Sequence, residues 1–181
     1  MPEHSVEIGA TRIELAVGDI AAQPDIDAVV NAANAQLLPG GGVAGAIHRA
    51  AGPGLREECR RLAPISPGEA VMTRGHRLPN AYVIHCLGPV YGVDRPEDQL
   101  LAACYRNALA IADRQGLRSV AFPAISTGAF GYPLERATEV AISSVLATVE
   151  RLKSVRTVRF VLAGEEALRV HDEVLRRLLA R

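Results

Sequence analysis

The amino-acid sequence predicts an α/β protein: a three-layer α/β/α sandwich around a largely parallel, buried central sheet. Three observations carry this. Short apolar runs alternate with segments of helical period along the chain. Several of the runs are continuously apolar, as strands buried on both faces are. The 181 residues, 49% of them hydrophobic, suit one compact domain, taken as residues 1–181. A chain of that length hides about 70% of its unfolded surface.

Each element follows from local pattern. Residues 5–17 alternate apolar and polar and are rich in Val and Ile, with Val6, Ile8, Ile13, Leu15 and Val17 the apolar positions, and read as one or two half-buried strands ended by Gly18-Asp19. Ala28-Val29-Val30-Asn31-Ala32 is a short buried strand. Val43, Ile47, Ala51, Leu55 and Cys59 are spaced by four and lay one apolar stripe along a helix, which Gly52-Pro53-Gly54 breaks or kinks. Residues 69–74 and 82–87 read as strands. Residues 96–115 form a long helix, with Pro96 in its first turn and Gly116 just past its end. Residues 119–125 are an apolar strand, a helix runs from the loop after it to about Lys153, residues 157–163 are the last strand and residues 165–180 the last helix.

Composition excludes several functions. Lys+Arg and Asp+Glu are 20 each, a formal net charge of +0, so phosphate neutralisation on a nucleic-acid polymer is not expected. Aromatics are only 4%, too few for a base-stacking platform. Cys59, Cys86 and Cys104 form no CxxC pair, and the histidines are scattered, so neither a disulfide framework nor a metal site is expected. The start of the chain carries no signal-peptide pattern and no run of about 18 apolar residues occurs, so a soluble, cytoplasmic protein without membrane contact is expected. No apolar stripe demands a partner, and a monomer is the default.

In sheets of this kind ligands sit outside the carboxyl ends of the strands. Residues 31–45 and 124–133 both follow an apolar strand and precede a helix. Gly40-Gly41-Gly42-Val43-Ala44-Gly45 allows close backbone approach, and the following helix offers unpaired N–H groups, which suits a phosphate. Its match to G-x-G-x-x-G is a weak dinucleotide fingerprint, because about seven residues separate it from the strand. Ser126-Thr127-Gly128-Ala129-Phe130-Gly131 is a second donor-rich turn. Two such turns at one sheet edge could grip a diphosphate without Lys or Arg. Phe130 is either a packing residue or a ring facing a ligand. Of Asn31 and Asn34, one ties loop to sheet and the other is free to meet a ligand hydroxyl. Asp19 either caps the short segment after it or contacts a ligand. His48, one turn into the helix, is within reach of the site. His85 points into packing, Cys104 lies in the core, and His4, His76 and His171 are surface residues.

These residues occur in an ordered set: Gly18-Asp19-Ile20, Val30-Asn31-Ala32-Ala33-Asn34, Gly40-Gly41-Gly42-Val43, Ala46-Ile47-His48-Arg49-Ala50-Ala51-Gly52-Pro53, Pro67-Gly68-Glu69-Ala70, His85-Cys86-Leu87-Gly88-Pro89 and Phe122-Pro123-Ala124-Ile125-Ser126-Thr127-Gly128. Over roughly residues 12–180 the chain resembles the macrodomain family, and within it the bacterial and mitochondrial-type ADP-ribosyl hydrolases and O-acetyl-ADP-ribose deacetylases. The resemblance implies a mixed, mostly parallel six-stranded sheet, no cofactor, and ADP-ribose or ADP-ribosylated proteins as ligands. It assigns Asp19 to the adenine amino group and Ile20 to the ring beside it. Gly41, Gly42, Val43 and Ala44, with Ser126, Thr127, Gly128, Ala129 and Phe130, would hold the diphosphate, and Phe130 would lie against the distal ribose. Asn34 would bond a distal ribose hydroxyl and orient the scissile ester, with His48 the other catalytic candidate.

Two departures matter. The similar hydrolases usually read Gly-Val-Asp-Gly-Ala-Ile-His, where the Asp is a proposed water activator, and here that position is Ala44. The family often has an adenine-stacking aromatic at the end of the last strand, where this chain has Ala163. Two readings follow: an enzyme hydrolysing ester-linked ADP-ribose, or a module that reads ADP-ribose without turning it over.

Overall fold

The computed structural model describes residues 2–181. Twelve elements follow in chain order: β1 (His4–Ile8), β2 (Thr11–Val17), β3 (Ala28–Ala32), α1 (Gly42–Ala51), α2 (Pro53–Cys59), β4 (Ala70–Arg74), β5 (Tyr82–Cys86), α3 (Glu97–Arg114), β6 (Ser119–Phe122), α4 (Leu134–Val149), β7 (Thr157–Leu162) and α5 (Glu165–Leu179). The strands form one sheet in the order β1-β2-β7-β6-β3-β5-β4. β2, β7, β6, β3 and β5 run parallel, and β1 and β4 pair antiparallel at the edges.

The sheet has seven strands, not the six expected. The extra strand is β1. Gly9, at φ +60°, turns the run 5–17 back on itself, so that His4 pairs with Leu15 and Ile8 with Thr11. β6 stops at Phe122, earlier than the expected 125, because Pro123 has no N–H to donate to a ladder. α4 ends at Val149 rather than near Lys153. The helix predicted over 43–59 is two, divided at Gly52 (φ +81°), which caps α1 while Pro53 opens α2.

Period-two alternation splits the core. Val30, Ile84, Phe122 and Phe160 face α3, α4 and α5, while Val29, Val83, Ala121 and Val161 face α1 and α2. His171 departs from the surface position expected of it. It falls three residues after Leu168 and three before Val174 on the apolar stripe of α5, and is buried against the Phe160 ring at 5.6 Å. Its Nδ1–H donates to the Ala167 carbonyl at 2.8 Å. Among the described residues no helix is long and apolar enough to cross a membrane.

Candidate functional site

Because five neighbouring strands are parallel, their carboxyl ends share one edge. Residues 18–20 follow β2, 33–41 follow β3, 87–96 follow β5, 123–133 follow β6 and 163–164 follow β7. Nearly every residue singled out from sequence therefore comes to one place. Main-chain bonds stitch the segments together: Gly18 N–H donates to Leu162 O at 3.0 Å, Ala33 N–H to Cys86 O at 2.9 Å, and Tyr91 N–H to Phe130 O at 2.9 Å.

The glycine turn delivers the start of α1 to this edge. Gly41 is the N-cap and offers no side-chain cap, and no acidic residue lies in the first turn. The N–H groups of Gly42, Val43 and Ala44 are thus a positive helix end with no acidic side chain in its own first turn. Gly42 takes φ +55° to make the turn. Gly45 is glycine because a Cβ there would run into the Gly40 carbonyl. Ala44 is buried, so the first turn presents backbone rather than side chain.

The second turn is built around Ser126, a buried residue held at φ +68°. Bonds within the turn use the N–H groups of Thr127 (to Ala124 O), Gly131 (to Gly128 O) and Tyr132 (to Ser126 O). Those of Ser126, Gly128, Ala129 and Phe130 take no part in them. Below the turn Tyr132 donates to Asp98, Arg136 reaches both Asp98 and the Tyr91 hydroxyl, and the Tyr91 and Tyr132 rings lie 4.9 Å apart. The Tyr132 hydroxyl and Arg136 hold the Asp98 carboxyl below its usual range.

The alternatives left open by the sequence separate here. Asn31 is the structural amide: it donates to His85 Nδ1 at 3.0 Å, which leaves Nε2–H to donate to Thr73 Oγ1 at 2.9 Å. Asn34 stands at the edge and closes its loop on Leu38, accepting from its N–H at 2.9 Å and donating to its carbonyl at 2.8 Å. One lone pair of Oδ1 and one N–H of Nδ2 remain for a ligand. Asp19 caps locally, its Oδ1 accepting from Ala21 N–H at 2.8 Å, yet its side chain stays exposed. Ile20 is buried in the core below α1, and Phe130 and Val43 are partly buried against that same cluster. Ala163 is exposed at the end of β7.

His48 lies on α1. It is buried between α1 and the sheet, where neither ring nitrogen has a protein partner. Burial, and then the nearby Arg56 charge, lower its pKa.

Sequence reasoning missed Gln23, Asp25 and Arg159. Arg159 sits in β7 opposite Glu14 of β2 and binds the Gln23 and Asp25 side chains. A charged residue inside the apolar run 157–162 was the available signal.

Comparison with known proteins agrees with this fold. The Macro domain family profile matches residues 30–141. The chain is 47% identical over 176 residues to a protein of Klebsiella pneumoniae (strain 342) named O-acetyl-ADP-ribose deacetylase, covering 94% of this chain and 98% of that protein. It is 45% identical over 175 residues to a Macro domain-containing protein of Methanosarcina mazei, covering 96% and 93%. Among solved structures, the Oceanobacillus iheyensis macrodomain with ADP superposes with a TM-score of 0.93 at 36% identity, covering 98% of this chain and 96% of that one. A Trypanosoma brucei macrodomain in complex with ADP-ribose gives 0.83 at 39% identity, covering 89% and 68%.

Proposed function

The chain belongs to the macrodomain family, and on that premise we propose that it binds ADP-ribose and hydrolyses esters of it, removing mono-ADP-ribose from glutamate or aspartate side chains and the acetyl group from O-acetyl-ADP-ribose. The observation that carries this reading is that two turns rich in free N–H groups follow the neighbouring parallel strands β3 and β6 at one sheet edge, with Asn34 in the loop after β3. The diphosphate lies between the start of α1 and residues 126–130, where aligned amides supply the positive field that a neutral protein otherwise lacks. Asp19 accepts from the adenine amino group, with Ile20 beside the ring and Ala163 at its open side. Phe130 lies against the distal ribose.

The remaining donor and acceptor of Asn34 hold a distal ribose hydroxyl, which fixes the ester carbonyl for attack. A water held against the ligand's own diphosphate adds to that carbonyl. The tetrahedral intermediate collapses, the bond from the acyl carbon to the ribose oxygen breaks, and the hydroxyl leaves with a proton from the water. The relatives named as deacetylases support this chemistry.

A second reading has its own observation. Ala44 places a buried methyl where a carboxylate base would stand, which favours a reader that binds without turnover. One experiment separates the two: release of ADP-ribose from a glutamate-linked ADP-ribosyl protein, and of acetate from O-acetyl-ADP-ribose, by wild type, Asn34→Ala and Ala44→Asp. The enzyme reading expects wild-type release well above Asn34→Ala. Tight ADP-ribose binding by calorimetry, with no wild-type release above Asn34→Ala, establishes the reader instead.

A further inference from the structure

We propose that Gln23 and Arg159 set the base specificity of the site by positioning Asp19. This rests on the reading of Asp19 as the contact to the adenine edge. Arg159 is 8% exposed and lies on the sheet face opposite Phe160. Its two terminal nitrogens fork onto the Asp25 carboxylate at 2.9 and 2.7 Å. One of them also donates to Gln23 Oε1 at 2.8 Å, and the other faces the buried Glu14 carboxylate at 3.4 Å. Gln23 passes the constraint on: its Nε2 donates to the Asp19 main-chain carbonyl at 2.9 Å. That carbonyl also receives Ala22 N–H at 3.0 Å, while Asp19 Oδ1 receives Ala21 N–H. The turn that aims the exposed Asp19 carboxylate is thus anchored through one carboxamide to a guanidinium fixed in the sheet. A groove lined by Gly18, Asp19, Ala22, Gln23, Asp25 and Arg159 opens beside it.

The chemistry makes this anchoring matter. Ala163 is exposed and has no ring to clamp the face of a base, so discrimination falls on the edge contact. A carboxylate accepts from a 6-amino group but meets a 6-keto group as a second acceptor. The difference between the two is large only while the carboxylate is held in line with position 6.

The test is calorimetric titration with ADP-ribose and with its hypoxanthine counterpart. Gln23→Glu keeps the acceptor for Arg159 and loses the donor to the Asp19 carbonyl. It is expected to cut the preference for ADP-ribose about five- to tenfold, the loss of one directing hydrogen bond. Arg159→Lys keeps the charge between Glu14 and Asp25 but not the fork, and is expected to move the preference the same way. Asp19→Ala abolishes it. If Gln23→Glu and Arg159→Lys keep the wild-type preference while Asp19→Ala loses it, the positioning role is overturned and the adenine contact stands. If Asp19→Ala keeps the preference as well, the adenine reading itself has failed, and the inference with it.

Discussion

Gly88 and Ser126 are packed so closely that no methyl group fits between them: a Cβ on Gly88 would overlap the Ser126 hydroxyl and approach Ile125 Cγ2 to 2.6 Å. Ser126 is also the residue held at φ +68°. The loop after β5 thus presses on the turn after β6. Gly88→Ala is expected to displace residues 126–130, weaken ADP-ribose binding by about tenfold, and cost about 1–3 kcal/mol of stability from overpacking. Ser126→Gly removes the colliding hydroxyl and suits the left-handed backbone. The double variant should therefore recover only part of the lost stability in urea melts, since the approach to Ile125 Cγ2 remains, and a double variant no better than Gly88→Ala would refute the Ser126 contact's role.

The glycine turn makes a sharper contrast. Gly45→Ala must push the Gly40 carbonyl away from α1, whereas Gly41 has φ −86° and open space around its Cβ position. Gly45→Ala is expected to lose about 1–3 kcal/mol. Gly41→Ala should stay within about 0.5 kcal/mol of wild type. Thermal melts of the two variants, compared without ligand, decide it.

Acid sensitivity should come from buried histidines. Burial, with a further contribution from His48, pushes His85 down to about 3, and burial pushes His171 down to about 4. His48 is lowered as well. The folded state keeps these rings neutral while the unfolded chain takes up protons below about pH 6.5. Their contribution is complete above pH 6.5 and is lost as pH falls through the window toward 4 and 3, at about 1.4 kcal/mol per pH unit for each ring. Urea midpoints should be flat above pH 7 and fall between pH 6.5 and 5. His171→Gln should remove one proton's worth of that slope, and an unchanged slope would count against its buried neutral state.

The three thiols should be silent in the native protein. Cys59, Cys86 and Cys104 are free and buried. Burial pushes Cys59 up to about 11. The Cys86 thiol is raised well above its ordinary range by its contact with Cys104 and by burial. Alkylation at pH 8 is expected to run at least about 100-fold slower than in denaturant, because all three sulfurs are covered and the thiolates of Cys59 and Cys86 are scarce as well. Labelling of native protein at the denatured rate would show that this core opens.

Local pattern alone was enough for the alternation of strands and helices, the break at Gly52-Pro53, and the two donor-rich turns at 40–45 and 126–131. These depend on hydrophobic period and on Gly and Pro backbone preferences, which act over a few residues. The ordered motifs were enough for the family. Tertiary structure decided the rest. The hairpin of β1 on β2 depended on an edge ladder. Asn31 and Asn34 carry the same side chain three residues apart, and only their partners, His85 in β5 and Leu38 in the loop, make one structural and leave the other at the edge. His48 and His171 were placed by which helix face meets the sheet. Arg159 acquired its meaning from Glu14 and from residues 23–25, which lie more than 130 positions away in the chain. The division has a physical reason: turn and helix signals are properties of neighbouring backbone, whereas the state of a buried polar group is set by whichever distant group the sheet brings within hydrogen-bond distance.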